Sequence, residues 1–515
     1  MRDLVIGLDC STTACKAVIW DITGREAASG RASLPMSMPR PGWHEQPAES
    51  WWQAAVQALR EAAGQVSPER LAALCIAPQR ETFVPADADG QPLGSALLWM
   101  DERCRELLPE VSRLYGEGRF HQESGKPLSA NLAPGKLLWL REHEPERFER
   151  MERVLDVHAF LALRLTGRCA TAWGCADPLG LFDMRQHTWN RPLIESLGLR
   201  VEQFPEALPG GTVVGEITAQ AARECGLPPG LPLVAGLGDG QAAGLGVCAV
   251  QPGEAYLNLG TAVVSGAFSE RYAVNLAFRS MYSGIPGAYV FETVLLGGTY
   301  TINWFLENVS GAHPGMPANQ ILAHYESLAA QIPPGALGLT LVPYWNSAMN
   351  PYWDASASGI VVGWRGVHQT QHFYRAILEG IALEQRLHTE GVEAALGSRV
   401  DRYIAVGGGA RSPLWRQIVA DVTGKAVYRA GPDDLSAADV EATALGAGIL
   451  AAAGVGLFPS TLEAARSMAR VTAVPCTPDP ARHDFYTRLF EDVYRRLYPS
   501  LQDALRRLAD LTANP

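Results

Sequence analysis

Cysteine, positive charge and long apolar runs are all scarce in this 515-residue chain, and each scarcity removes a class of protein. The nine cysteines, at 10, 15, 75, 104, 169, 175, 225, 248 and 476, are odd in number and include no C-x-x-C pair. That pattern argues against a disulfide framework or a zinc site and for reduced thiols in a cytoplasmic protein. Lysine and arginine number 43 against 54 aspartate and glutamate, and the net charge of −11 would attract neither nucleic acid nor an anionic membrane. The apolar run Ala442–Phe458 is rich in Ala and Gly and stops short of the roughly 20 residues a membrane span needs, so it reads as a closely packed buried helix. Met1-Arg2-Asp3 leads straight into strand-like residues, which leaves no room for a signal peptide. No G-x-x-x-x-G-K-[ST] is present, which excludes a P-loop.

What is present is the composition of a compact protein, 47% hydrophobic and 19% charged, long enough for two domains of roughly 200 to 250 residues. The stretch Val5–Asp21 organises the rest. An apolar run ends in Asp9, a turn of Ser11, Thr12 and Thr13 follows, and a second apolar run from Ala17 to Trp20 returns the chain, which predicts a β-hairpin with a polar tip. Small hydroxyl residues let backbone N–H groups point into open space where phosphate oxygens could sit, with Lys16 adding charge and Asp9 offering a carboxylate to a metal ion. Taken alone, the same stretch is equally an ordinary Ser/Thr-rich turn.

Further along, a third strand is expected over Ala27–Leu34, a helix from Glu49 to about Ala63, and strands over Leu71–Ala77 and Leu97–Trp99. The last two end in Gln79-Arg80-Glu81-Thr82 and Asp101-Glu102-Arg103, and strands that finish in charged clusters suggest a shared pocket beyond the sheet. Lys136–Thr166 reads as largely helical, broken near Pro145. Asp239 and Gly240 lie between the strand Leu233–Gly236 and a small-residue helix, and Val247–Gly253 marks a boundary. Ala255–Val264 then repeats the opening pattern of strand, Gly/Thr turn and strand. Two half-chains that begin alike suggest two related α/β domains facing each other across a cleft. A helix at Thr299–Asn308, a long helix from Thr370, the strand Tyr403–Val406 and the run Gly407–Ser412 complete the second half.

This ordered set resembles the FGGY family of carbohydrate kinases, whose two domains have the ribonuclease-H-like fold of actin-like ATPases. The resemblance rests on Gly7–Asp21, Gly238-Asp239, Leu259-Gly260-Thr261, Gly407–Trp415 and Glu441–Gly446. It implies an N-terminal domain over 1–249, a nucleotide-binding domain over 250–458 and a helical tail over 459–515. It further implies ATP and Mg²⁺ as cofactors, Asp239 as the base that takes the acceptor hydroxyl's proton, and Asp9 near the metal. Thr12, Thr13, Lys16, Gly260, Thr261, Gly298, Gly408 and Gly409 would contact the nucleotide, and Gln79, Arg80, Glu81, Trp99 and Asp239 the acceptor. Ser11 stands where family members often carry Gly.

The acceptor implied is a small sugar or polyol. The frame Asn131–Pro145 is most similar to the xylulokinases, pointing to D-xylulose, whereas Gln79-Arg80-Glu81-Thr82 is similar to glycerol kinase and keeps glycerol or another polyol as the alternative. An Arg/Glu pair supplies donors and acceptors at fixed spacing, as vicinal hydroxyls require, although it is also compatible with a surface ion pair. An actin-like ATPase switch would use the same hairpins without a small-molecule acceptor. Oligomeric state stays open, a homodimer included. His368 and His372 lack the Glu of a zincin and are not expected to bind metal; Trp51-Trp52 reads as core and Asp433-Asp434 as solvated loop.

Overall fold

The computed structural model describes residues 2–311, 317–434 and 440–513. Two six-stranded sheets carry it. The first contains β1 (Leu4–Cys10), β2 (Ala14–Asp21), β3 (Glu26–Ser33), β4 (Leu71–Pro78), β5 (Val213–Glu216) and β6 (Pro232–Val234), in the spatial order β5-β6-β4-β1-β2-β3. The second contains β7 (Glu254–Leu259), β8 (Val263–Ser269), β9 (Arg279–Tyr282), β10 (Tyr289–Leu295), β11 (Arg402–Val406) and β12 (Ala426–Arg429), in the order β9-β10-β8-β7-β11-β12. In both, an antiparallel meander adjoins parallel strands: β1 pairs β4 in parallel and β7 pairs β11 in parallel. This is the ribonuclease-H-like topology, present twice. The parallel strand β4 is buried at every position, as expected of strands covered on both faces.

Helix α1 (Ala48–Ala63) lies on β2 and β3, with α2 (Val157–Thr166) packed beside it. The side chain of Trp51 is fully buried, edge-on to Phe160 and bonded through its indole to Gln46, so it belongs to the core. On the second sheet's side lie α4 (Thr299–Asn308), α5 (Thr370–Leu396) and α6 (Pro413–Thr423). The helices Pro480–Leu489 and Arg495–Ala513 pack near α5 and α6: Tyr486 and Tyr494 donate to Glu379 and Glu384 of α5.

Two helices fix the centre of the molecule. Helix α3 (Asp239–Gly246) begins with Asp239, and α7 (Ala442–Gly454) is preceded by Glu441 as its N-cap. Although α7 comes from the second half of the sequence, it packs on β1, β4 and α3. The two helices touch backbone to backbone: a Cβ on Gly446 would lie 1.9 Å from the Ala242 carbonyl oxygen, and one on Gly246 2.0 Å from that of Ala442. The Ala/Gly richness of both segments is what permits this approach.

Two local readings are corrected. Lys136–Thr166 is not a helical run with a single break, because Arg153–Asp156 forms a strand paired with Phe83–Ala86. Trp99 is not in a strand; pairing stops at Leu97, and the backbone N–H of Trp99 donates to the Thr82 hydroxyl. In both cases the pairing partner is distant in sequence and leaves no local periodicity. His368 and His372 stand next to the start of α5, each accepting through Nδ1 from a backbone N–H three residues before it, of Arg365 and Gln369.

Candidate active site

Asp239 is the first residue of α3, and its side chain keeps 37% of its surface exposed. Oδ1 accepts from its neighbour's backbone, Gly240 N, at 2.7 Å and lies 2.9 Å from Arg80 Nε. Burial of the carboxyl pushes its pKa up, and Arg80 only partly opposes this. Arg80 follows β4 and lies across the Gly238-Asp239-Gly240 turn. A Cβ on Gly238 would come within 2.5 Å of the Arg80 side chain, and one on Gly240 within 2.8 Å of Glu292 Oε2. The glycines beside Asp239 therefore make room for Arg80, its ionic partner, and for the Glu292 carboxylate that also pairs with Arg80.

Arg80 and Glu81 do not pair with each other. Arg80 Nη1 reaches Glu292 Oε2 on β10 at 2.7 Å, while Glu81 accepts from Arg279 Nη1 on β9 at 2.7 Å. Arg279 Nη2 closes the set on Glu292 Oε1 at 2.5 Å, and Tyr256 OH donates to Glu292 at 3.1 Å. Glu292 is fully buried; burial alone would raise its pKa, but the guanidiniums of Arg80 and Arg279 overrule it and hold the carboxyl at about 2. Glu81 is buried and adopts φ 56°, a left-handed conformation uncommon for a residue with a side chain. Two residues of the acceptor expectation, Gln79 and Trp99, meet at the tip of the first hairpin: Trp99 Nε1 donates to Thr12 Oγ1 at 3.0 Å and Gln79 Nε2 lies 3.4 Å from the Ser11 carbonyl. Lys136, buried, holds the same turn by donating to the carbonyls of Leu98, Trp99 and Asn131.

The two hairpins flank this centre. In the first, Thr13 is exposed at the tip and Lys16 pairs with Glu441 of the other half at 2.5 Å. Asp9, opposite Lys16 in the ladder, is enclosed, and its Oδ1 is buried without a protein partner. Burial and then the nearby charges of Asp239 and Glu441 raise its pKa well above the carboxylate range. A buried carboxylate oxygen without a protein donor fits one ligand position of a hard cation such as Mg²⁺, though among the described residues no three acidic, His or Cys side chains gather as a metal site, so water and phosphate oxygens would supply the other ligands. In the second hairpin, Thr261 is exposed, and the start of α4 folds onto the turn, with Thr299 N donating to the Gly260 carbonyl at 2.8 Å. Gly298 belongs here because a Cβ would lie 2.6 Å from that same oxygen. In the glycine run, Gly408 faces open space, whereas Gly409 is covered by the Trp415 ring, 2.3 Å from where a Cβ would be. A cleft of about 710 Å³ between the domains is lined by Trp99 and Asn131 from one side and Thr261, Leu296, Tyr300 and Met349 from the other.

Comparison with known proteins decides the family. Residues 4–246 match the N-terminal domain of the FGGY family of carbohydrate kinases, and residues 255–455 match its C-terminal domain. The chain belongs to the FGGY family of carbohydrate kinases. It is thus an enzyme, a phosphotransferase with an alcohol acceptor, in a family of sugar kinases that use ATP. Its relatives include the xylulose kinase of Escherichia coli strain K12, 30% identical with 97% of this chain and 99% of the relative covered. The autoinducer-2 kinase of Salmonella typhimurium is also 30% identical, over 90% and 89%. The crystal structure of the xylulose kinase from Rhodospirillum rubrum superposes with a TM-score of 0.89 at 28% identity, covering 98% of this chain and all of that one.

In this carbohydrate kinase the structure brings Asp239, Arg80 and Glu81 into one ionic network, Asp239 its exposed end, and sets Gln79 and Trp99 against the tip of the first hairpin. Thr12, Thr13 and Lys16 lie on the first hairpin; Gly260, Thr261 and Gly298 meet on the second. The sequence reading missed Arg279, Glu292 and Lys136. Arg279 and Glu292 stand in plain strands with no motif around them, and only their opposition in the β9/β10 ladder makes them a pair. Lys136 sits in a helix, buried, and only the fold shows that it holds the Trp99 turn.

Proposed function

We propose that this kinase transfers the γ-phosphoryl group of ATP to a hydroxyl of a small neutral ketose, D-xylulose first, with Asp239 as general base. One observation carries the reading: Asp239 Oδ1 accepts from Gly240 N and sits in an ion pair 2.9 Å from Arg80 Nε, so that Oδ2 is the oxygen that accepts the acceptor's proton. Arg80 fixes the carboxylate's orientation, and Glu81, Gln79 and Trp99 supply the polar and aromatic surfaces that hold hydroxyl groups and a carbon chain. Backbone N–H groups of the two hairpin turns and Lys16 would hold phosphate oxygens. Asp9 would hold Mg²⁺, which when bound neutralises phosphate charge. Phosphoryl transfer asks little covalent chemistry of the protein; alignment and charge neutralisation account for most of the acceleration. The likeness to xylulose kinases over nearly the whole chain supports D-xylulose.

Arg80-Glu81 favours a second acceptor class, glycerol or another polyol. A panel of D-xylulose, D-ribulose, glycerol, erythritol, gluconate and autoinducer-2 in a coupled ADP-release assay separates them. We expect the highest kcat/KM on D-xylulose; turnover of glycerol alone would replace that reading, and acceptor-independent ATP turnover would remove the small-molecule acceptor altogether.

A further inference from the structure

The acceptor side of the site is completed by the second domain. Arg80 and Glu81 both come from the first domain, yet among the described residues their ion-pair partners, Asp239 apart, come from the second domain. Glu292 of β10 takes one arm of Arg80 at 2.7 Å, and Arg279 of β9 takes Glu81 at 2.7 Å. Arg279 and Glu292 sit directly opposite one another in the ladder and bind each other at 2.5 Å, so the two contacts are made by one rigid unit. We propose that Arg279 and Glu292 are positioning residues for the transfer: Glu292 holds the Arg80 guanidinium against Asp239, and Arg279 holds Glu81 in its left-handed conformation beside the acceptor site.

The chemistry of the groups supports this division. A guanidinium presents its donors in a fixed planar fork, so when Glu292 takes Nη1 the direction of Nε is set as well. Glu81, at φ 56°, would relax toward an ordinary backbone conformation unless something outside its own segment held it. The fork of Arg279 does this by spending Nη1 on Glu81 and Nη2 on Glu292. A lysine keeps the charge but cannot span both carboxylates. Backbone contacts keep β9 in place: Ser280 N donates to the Gly125 carbonyl at 2.8 Å and Tyr282 N to Asp177 Oδ2 at 2.7 Å. The strand that carries Arg279 is therefore tied to the first domain independently of the ionic network.

The inference rests on the reading of Arg80, Glu81 and Asp239 given above, and the test separates the two. Steady-state kinetics are measured on wild type, Arg279→Lys, Glu292→Gln, Glu81→Gln and the double variant Arg279→Lys/Glu81→Gln, with the acceptor that wild type turns over fastest. Asp239→Asn serves as control. We expect Arg279→Lys to raise the acceptor KM about tenfold with the ATP KM unchanged, and to have no further effect in the Glu81→Gln background, because it acts through Glu81. Glu292→Gln should lower kcat about 100-fold; if it fails to fold, Arg279→Lys and the double variant carry the test. Additive effects of Arg279→Lys and Glu81→Gln, a parallel rise in the ATP KM, or acceptor kinetics within twofold of wild type would overturn the inference. An active Asp239→Asn would instead overturn the site reading on which it stands.

Discussion

Asp239 is a carboxylate whose environment has been arranged from three sides. Oδ1 accepts from Gly240 N and is ion-paired with Arg80, burial raises the carboxyl's pKa, and Glu81 and Glu292 add to that rise while Arg80 opposes it. In the proposed role of general base Asp239 works in its deprotonated form, so turnover should fall as pH drops through a value above the ordinary carboxylate range. Asp239→Asn should cost about 10³-fold or more in kcat, within the span general-base groups contribute together with their orienting effect, and should abolish the acid limb of the residual rate. A pH–rate profile of both proteins checks this; an unchanged acid limb in the variant would assign the titration elsewhere. At this scale the sequence was informative about Asp239, Arg80 and Glu81 and silent about their partners. Arg80 and Glu81 read as a pair because they are adjacent, but adjacent residues at the end of a strand point in different directions, and each found its partner on the other domain.

At the scale of elements, α2 shows how a helix can carry opposing electrostatics. Its N-cap Asp156 accepts from Ala159 N and is raised by burial to about 6 from an ordinary 3.8. His158, two residues on, is buried, accepts from Gly236 N, and is lowered by burial to about 4 from 6.5. The His contribution to stability is present above its unfolded value and lost as pH falls toward 4. The Asp contribution is present below 3.8 and lost as pH rises through 6. Each amounts to about 3 kcal/mol, and the two offset across the same window. Asp156→Asn keeps a capping oxygen and removes the buried charge, so it should be more stable than wild type at pH 7, by up to about 3 kcal/mol, and should lose stability more steeply from pH 7 to pH 5. Denaturant melts at both pH values decide it; a variant less stable at pH 7 would show that the ionised carboxylate is used.

Across the whole molecule, the two domains meet where α7 packs on β1, β4 and α3 and again along β9 and β10, and they separate at the cleft. Ser280, Tyr282, Arg279 and Glu292 bind the first domain through hydrogen bonds and ion pairs, while Trp99 and Asn131 face Thr261, Tyr300 and Met349 across open space. A closure that excludes water from the reacting groups would pivot about the bonded flank. With acceptor and a non-hydrolysable ATP analogue bound, hydrogen exchange should slow over residues 99–105 and 346–353 and stay constant over 279–282. Faster or changed exchange at 279–282 would place the pivot elsewhere.

What the sequence alone determined was the repeated local grammar: strand, small polar turn, strand, twice over, with Asp239 after a strand and glycines where backbones must approach. These features are short-range, since a hairpin is specified by residues within one turn of each other and a close helix crossing by the absence of side chains. What only the tertiary structure decided was which charges meet. Lys16 with Glu441, Arg80 with Glu292 and Glu81 with Arg279 lie hundreds of residues apart or on opposite domains, and no periodicity in either segment records the other. The packing of α7 from the second half onto β1 of the first is decided in the same way. Buried ion pairs need partners at a distance and direction set by the whole fold, so the opening hairpin could be read early, and the Arg279–Glu292 pair that meets Arg80 and Glu81 could not.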